Sequence, residues 1–199
     1  MKDPNTMTKR EIEEVFKDIG MKQEGHFLLA SGLHSSIYFE KFRLLERPDL
    51  LSIFCKEIAM YFEGQGIDRV AGPTTGGIVV AYEVARYLGV HWLAAERVDG
   101  HPVLKRVFRR GTAIQQGEKI LVVDDVLTTG GSLRETIDAV FQGAGVVAGV
   151  GVLVDRRENE KEFKVPIFSI YRSKAINYPP ETCPLCKGGV KLTQPGGKG

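Results

Sequence analysis

Residues 120–132 read ILVVDDVLTTGGS, and this stretch decides the fold class. Its leading apolar residues predict a buried strand, which delivers two adjacent carboxylates, Asp124 and Asp125, at its carboxyl end. The TTGGS turn then leads into a helix that we expect to begin near Leu133. Because ligands of open α/β sheets bind beyond the carboxyl ends of the strands, this turn is the first candidate for a binding site.

The turn has the composition of a phosphate-binding loop. Successive backbone N–H groups, Thr and Ser hydroxyls and a helix N-terminus together bind anions, and Gly130 and Gly131 let the backbone approach closely. Two carboxylates beside an anion site fit a ligand that also carries vicinal hydroxyls or a divalent cation, as a ribose 5-phosphate unit with Mg²⁺ does. The alternative without a binding function is a surface turn with two solvated aspartates. The chain contains no GxxxxGK[ST] run, and GAGVVAG at residues 143–149 favours a turn over a dinucleotide loop, because it follows a helix and leads into a strand.

The rest of the chain alternates between helical and extended patterns. Thr8 and Glu11 have the spacing of a capping box, which predicts a short amphipathic helix ending near Gly20. Further patterns predict helices at 49–62, 78–89 and 132–142, and extended segments at 68–72, 91–96, 103–110, 119–126, 146–155 and 165–172. Continuously apolar strands separated by helices indicate an α/β fold with a mostly parallel sheet covered on both faces.

Composition limits the function classes. The chain has 199 residues and 43% hydrophobic content, which predicts one domain with a hydrophobic core of the usual size. The net charge of +2 argues against a dedicated nucleic-acid-binding protein. We find no apolar run long enough to span a bilayer and no secretory signal, and three cysteines do not make a disulfide framework, so a cytoplasmic location is expected.

Two of the cysteines, Cys183 and Cys186, form a CxxC that resembles half of a zinc knuckle. A structural zinc site needs four ligands, the chain has no second CxxC, and its four histidines are distant in sequence. A dimer could bring two such pairs together. The alternatives are a reduced pair and a redox-sensitive surface turn. Cys55 lies within a predicted helix and is expected to be a buried apolar residue.

The central stretch resembles the phosphoribosyl pyrophosphate (PRPP) signature of the type I phosphoribosyltransferases. The segments at 26–45, 72–85 and 154–158 are similar to those of the orotate phosphoribosyltransferase family, and the resemblance extends over roughly residues 27–188. It implies the type I phosphoribosyltransferase fold, a central sheet flanked by helices with a small N-terminal hood. A single domain over 1–199 is expected, with the helix and hood at about 8–45 and a surface tail at about 178–199. It also implies transfer of phosphoribosyl from PRPP to orotate, which yields orotidine 5′-monophosphate and pyrophosphate in pyrimidine synthesis, with Mg²⁺ as cofactor.

The resemblance also implies roles for individual residues. Asp124 and Asp125 would contact the ribose hydroxyls, with PRPP-bound Mg²⁺ near one of them. Arg156 would pair with the orotate carboxylate, and Tyr38 and Phe39 would lie beside the base, although core packing explains that aromatic pair equally well. Thr128 would also be near the orotate. The remaining PRPP-binding residues implied by the resemblance are Thr75, Gly76, Gly77, Val126, Leu127, Thr129, Gly130, Gly131 and Ser132.

Members of the family carry loop cations that meet the pyrophosphate, and this loop reaches into the neighbouring subunit of a homodimer. The corresponding stretch here is residues 96–110, in which Arg97, His101 and Lys105 are the candidate catalytic residues. The stretch is shorter than in many members, and a polar hairpin with solvated charges is the alternative, in particular for Arg109 and Arg110.

The chain departs from the family pattern at two further places. Ala30 stands where many members have Lys, and Thr75 and Gly76 stand where many have Tyr-Lys. We interpret the chain as a compact variant of the enzyme. Two other functions remain open: a purine-type phosphoribosyltransferase, and a non-catalytic PRPP-sensing regulator of the same fold. A carboxylate-binding Arg156 and the segment around Tyr38 speak against the first, and the near-neutral charge offers no support to the second.

Overall fold

A computed structural model of the protein describes residues 7–29, 31–100, 105–109, 113–157, 163–173 and 176–195. Its helices are α1 (Lys9–Asp18), α2 (Phe42–Leu45), α3 (Pro48–Phe62), α4 (Gly76–Leu88), α5 (Gly131–Gln142) and α6 (Pro184–Lys187). Its strands are β1 (Lys22–Leu28), β2 (His34–Phe39), β3 (Arg69–Pro73), β4 (His91–Arg97), β5 (Arg106–Phe108), β6 (Lys119–Leu127), β7 (Val146–Asp155), β8 (Ile167–Arg172) and β9 (Asn177–Tyr178). Contacts divide the chain into two compact units, residues 45–172 and residues 1–44 with 173–199.

The larger unit is built on a six-stranded sheet in the order β5-β4-β3-β6-β7-β8. All neighbouring pairs are parallel except β4 and β5, which form an antiparallel edge. Helices α3 and α4 pack against each other and against strands, and α5 packs over β3, β5, β6 and β7. The fold class predicted from the apolar strands is therefore confirmed, and β5 is the antiparallel exception.

One part of the core of this unit lies beneath α5. Buried side chains of β6, among them Ile120 and Val122, pack with Leu133 and Val140 of the helix. Cys55 on α3 is completely buried, as expected for a small apolar residue, and this burial raises the pKa of its thiol. These contacts anchor β6 and α5, the two elements on either side of the TTGGS turn.

The smaller unit begins with the predicted capped helix. The Thr8 hydroxyl accepts a hydrogen bond from the Glu11 N–H at 3.3 Å, and the Thr8 N–H donates to the Glu11 carboxylate at 2.7 Å. Ile12 and Phe16 are its buried residues. The unit also contains a three-stranded antiparallel sheet, β1-β2-β9, which the sequence analysis did not predict.

Within the described part of the chain, none of the helices combines the length and the apolar character needed to cross a bilayer.

Candidate active site

The candidate site lies where the strand order of the larger sheet reverses. From β3 the chain passes through α4 to β4, and it later enters β6 on the opposite side of β3. The loops that follow β3 and β6 therefore leave neighbouring parallel strands at the same edge. This topological switch point is the place where open α/β sheets bind ligands.

The loop after β6 encloses a cavity of about 60 Å³. Gly130 has φ of +78°, which favours glycine, and it precedes the first turn of α5. Arg134 supports the loop from within α5, because its guanidinium donates to the Thr129 carbonyl at 2.7 Å. The cavity is lined by Asp124, Val126, Leu127, Thr128, Thr129, Gly130, Gly131, Ser132 and Leu133. The structure thus brings the predicted phosphate-loop residues around one small polar cavity.

Asp124 and Asp125 are buried near the end of β6, with 7% and 3% of their surfaces exposed. Their oxygens accept backbone hydrogen bonds, from the Asp125 N–H to Asp124 at 2.9 Å and from the Val126 N–H to Asp125 at 2.6 Å. The first turn of α4 lies against them: a Cβ on Gly76 would lie 1.8 Å from Asp125 Oδ2, and one on Gly77 would lie 3.1 Å from Asp124 Oδ1. The positive end of the α4 dipole therefore lies next to both carboxylates. The solvated surface turn considered above is excluded by this burial.

The PTTGG loop, which contains Thr75, Gly76 and Gly77, connects β3 to α4. Its Thr74–Thr75 peptide bond is cis, and the Thr74 N–H donates to the Ala95 carbonyl at 3.2 Å. The Gly76 position has no room for a side chain against Asp125, so this loop and the carboxylate pair are in direct contact.

Arg106 is a residue that the sequence analysis missed. It is 2% exposed, and its guanidinium donates to Thr74 Oγ1 at 3.0 Å, to the Ala95 carbonyl at 2.9 Å and to Glu135 at 3.1 Å. One buried cation thereby joins the loop after β3 to helix α5. Its place in a predicted extended segment indicates that alternate residues face the core, but not which of them do.

Arg156 follows β7 directly and lies beside the end of β6. Its backbone N–H donates to the Leu127 carbonyl at 2.8 Å, and its side chain is 8% exposed. The neighbouring Arg157 forms a buried ion pair with Asp155, with distances of 3.0 Å from Nε to Oδ1 and 2.8 Å from Nη2 to Oδ2. Burial alone would raise the pKa of the Asp155 carboxyl, but the hydrogen bonds from Arg157 outweigh it and the pKa is lowered. This ion pair stabilises the turn that carries Arg156.

The remaining candidate site residues are not among the contacts described above for the carboxylate pair and its two loops. Arg97 and Lys105 are exposed at the base of the β4–β5 hairpin, where the Val98 N–H donates to the Lys105 carbonyl. His101, Ala30 and Arg110 lie outside the described residues. Tyr38 and Phe39 belong to the smaller unit, where Phe39 is buried and the Tyr38 ring lies 5.7 Å from that of Phe27.

The CxxC also lies in the smaller unit, where Cys183 is buried and Cys186 is exposed. In sequence the four histidines are distant from the CxxC. The structure instead places His26 and His34 beside both cysteines, with all four candidate ligand atoms within 4.8 Å of one another.

Together, a small polar cavity in the glycine-rich loop after β6 and buried carboxylates at the switch point of a parallel sheet indicate a class of protein, the phosphoribosyltransferases. Comparison of the sequence with known families agrees: the model of the phosphoribosyl transferase domain matches residues 54–177.

Comparison with individual relatives indicates which family of phosphoribosyltransferases the chain belongs to. The chain is 46% identical over 192 residues to the orotate phosphoribosyltransferase of Pelotomaculum thermopropionicum, covering 96% of this chain and 99% of the relative. Among solved structures, the orotate phosphoribosyltransferase of Aeropyrum pernix has a TM-score of 0.69 at 28% identity, over 82% of this chain and 94% of that one. The adenine phosphoribosyltransferase of Thermoanaerobacter pseudethanolicus, at 20% identity and a TM-score of 0.60 over 69% of this chain and 88% of that one, shares the fold. The chain belongs to the orotate phosphoribosyltransferase family.

Proposed function

We propose that this protein transfers the phosphoribosyl group of PRPP to orotate, giving orotidine 5′-monophosphate and pyrophosphate for pyrimidine synthesis. The observation that carries the proposal is the direct contact between Gly76, at the start of α4, and the buried Asp125 carboxylate beside the β6 loop. A ligand at this point meets two anion-binding loops and two carboxylates. PRPP has the matching groups, namely a 5-phosphate, a pyrophosphate and two ring hydroxyls.

In this proposal each part of the site binds one part of the substrate. Residues 128–132 hold the 5-phosphate with backbone N–H and hydroxyl groups, and Asp124 and Asp125 accept hydrogen bonds from the ribose hydroxyls. Residues 74–77 hold the pyrophosphate. Arg156 binds the orotate carboxylate, a role that suits a planar bidentate donor, and Tyr38 and Phe39 lie beside the base.

Catalysis follows from where charge develops. As the C1–pyrophosphate bond breaks, the ribose ring becomes positive and the leaving group gains negative charge, so buried carboxylates near the ring lower the barrier. Arg97, Lys105 and His101 are the cations proposed to meet the leaving group. We propose Mg²⁺ as the cofactor, because the oxygens of Asp124 and Asp125 are the ligand type that Mg²⁺ prefers. When bound with PRPP, it would neutralise part of the pyrophosphate charge.

The direct test mixes the purified chain with PRPP, Mg²⁺ and either orotate or adenine, and follows consumption of the base. Turnover of orotate is expected. Turnover of adenine alone would refute the substrate assignment, and PRPP binding without turnover of either base would favour a regulator.

Arg156→Ala tests the assignment of the orotate carboxylate. We expect kcat/KM for orotate to fall at least about 10-fold, with an intermediate loss for Arg156→Lys, which keeps the charge but not the bidentate geometry. The control is Arg10→Ala, which removes an exposed arginine of α1. Unchanged orotate kinetics in Arg156→Ala would contradict the assignment.

We further propose that the chain functions as one phosphoribosyltransferase domain in a cytoplasmic homodimer, whose subunits exchange the loop at residues 96–110. The test combines Asp125→Asn subunits with Lys105→Ala subunits after dissociation. Partial recovery of activity is expected, because a mixed dimer contains one site with both native residues. Failure to recover activity in verified mixed dimers would contradict sharing of Lys105 between subunits.

A further inference from the structure

Four side chains of the types that bind metals meet in the smaller unit, and they come from three secondary-structure elements. His26 lies on β1, His34 begins β2, and Cys183 and Cys186 lie at the start and within the turn of α6. Antiparallel pairing of β1 with β2 brings the histidine segments together, and pairing of His34 with Tyr178 of β9 brings in the chain just before the CxxC. The cluster is thus a product of strand register.

Four of the six distances between the donor atoms lie within about 0.4 Å of those expected around a tetrahedral metal ion. The Cys183 sulfur lies 3.5 Å from His26 Nε2, and the Cys186 sulfur lies 3.7 Å from the same nitrogen and 3.3 Å from His34 Nδ1. The two nitrogens are 2.9 Å apart. Around a tetrahedral zinc ion, with its usual bond lengths, sulfur and nitrogen ligands are about 3.6 Å apart and two nitrogens about 3.3 Å apart.

A hydrogen bond outside the cluster orients one of the ligands. His26 Nδ1 lies 2.8 Å from the Val190 carbonyl oxygen. Because a carbonyl oxygen only accepts, Nδ1 is the donor of this hydrogen bond, which leaves Nε2 as the nitrogen of His26 that faces the cysteines and can bind a metal. This is the outer hydrogen bond that metal-binding histidines usually make.

Burial also favours a metal over a set of ordinary polar contacts. His26, His34 and Cys183 are 2%, 5% and 0% exposed. A proton on His34 Nδ1 would pair the two ring nitrogens by one hydrogen bond, but neither nitrogen could then accept a hydrogen bond from the cysteine sulfur atoms, which lie 3.3–3.7 Å away. A single cation satisfies all four donors together.

We propose that His26, His34, Cys183 and Cys186 bind one structural zinc ion. Two thiolates and two neutral imidazoles balance the charge of Zn²⁺, and binding releases the two thiol protons. With four protein ligands the site is closed, so it has no open position for a substrate. The ion would join the β1–β2 hairpin to the C-terminal segment, which also contacts β1 through hydrogen bonds between Leu28 and Thr193 and between Thr193 and His26.

Metal content of the full-length chain, purified without a polyhistidine tag and without chelator, tests the proposal. We expect about one zinc per chain by elemental analysis, and Co²⁺ exchanged into the site should give the intense visible spectrum of a tetrahedral thiolate complex. Removal of the metal by a chelator should lower the Tm by about 5–10 °C, and zinc should restore it.

Matched variants show whether these four residues are responsible. Cys186→Ser and His34→Gln should lose the zinc and the cobalt spectrum, whereas Cys55→Ala and His91→Gln, which change residues outside the cluster, should keep both. Circular dichroism identifies any variant that fails to fold, and Cys186→Ser, at the exposed ligand, is the mildest change.

A chain that contains no zinc, binds neither Zn²⁺ nor Co²⁺ and has the same Tm with and without chelator would overturn the proposal. Retention of zinc by Cys186→Ser, or a Cys183–Cys186 disulfide in the freshly purified chain, would also overturn it. None of these readouts depends on catalysis, so they are independent of the orotate assay.

Discussion

Gly76→Ala tests whether the contact between the two loops positions Asp125, the carboxylate that we propose binds the ribose. A Cβ at this position would lie 1.8 Å from Asp125 Oδ2, whereas ordinary contact begins at 3.4 Å. The carboxylate would therefore have to move by about 1.6 Å, the difference between these distances. Asp125 can do this by rotating its short side chain, at the expense of its hydrogen bond with the Val126 N–H.

The effect on activity should be much larger than the effect on folding. A displacement of about 1 Å in an active site can reduce the rate about 100-fold, so we expect kcat/KM to fall by about that factor, equivalent to about 2.7 kcal/mol of transition-state stabilisation. Alanine is favoured over glycine in a helix by about 1 kcal/mol, which offsets part of the cost of the altered contact. The Tm should therefore change little.

The assay is steady-state consumption of orotate at varied PRPP, together with thermal unfolding. Val79→Ala is the matched control, because it places an alanine at an exposed position of the same helix, where surface substitutions cost under about 0.5 kcal/mol. A folded Gly76→Ala enzyme with kcat/KM within about threefold of the wild type would refute the reasoning.

Three further predictions concern the buried ion pairs. Arg106→Met removes the donor to Thr74 and should raise KM for PRPP. Glu135→Gln keeps a polar partner for Arg106 and should raise KM less. Equal kinetics in both variants would argue against a positioning role for Arg106. Arg157→Met leaves the buried Asp155 carboxylate without this cation, and loss of one partner of such a pair costs about 3–5 kcal/mol, measurable by urea unfolding. Because the folded pKa of Asp155 is lowered, its contribution is fully present above the ordinary carboxyl pKa of about 3.9 and is lost as pH falls through the folded value. The wild type should therefore lose stability relative to Asp155→Asn below about pH 4, and parallel pH curves would contradict this linkage.

The strand–turn–helix unit around Asp124 was predictable because its parts are contiguous in the chain. A strand, two carboxylates and a glycine turn within residues 120–132 are specified by local pattern, and the structure confirms β6 and α5, with the helix beginning at Gly131 rather than near Leu133. The capping box of α1 was predictable from the sequence for the same reason, because Thr8 and Glu11 are one helical turn apart.

Other features had no comparable local signal. The strands β1 and β2 carry mixed burial patterns, and their register shifts between Glu24 and Phe27, so the simple alternation that identifies a strand is absent. Arg106 was indistinguishable from its basic neighbours, because the sequence does not show which side of a short edge strand faces the core.

The sequence by itself determined the α/β class, the glycine turn after β6 and the carboxylate pair, since these depend on residues adjacent in the chain. Only the tertiary structure decided which residues from distant parts of the chain contact each other. Gly76 reaches Asp125 because β3 and β6 are neighbours in the sheet, and His26 reaches Cys186 because strand pairing closes a separation of 160 residues. Local pattern specifies what each segment becomes, whereas register and strand order decide which side chains share a site.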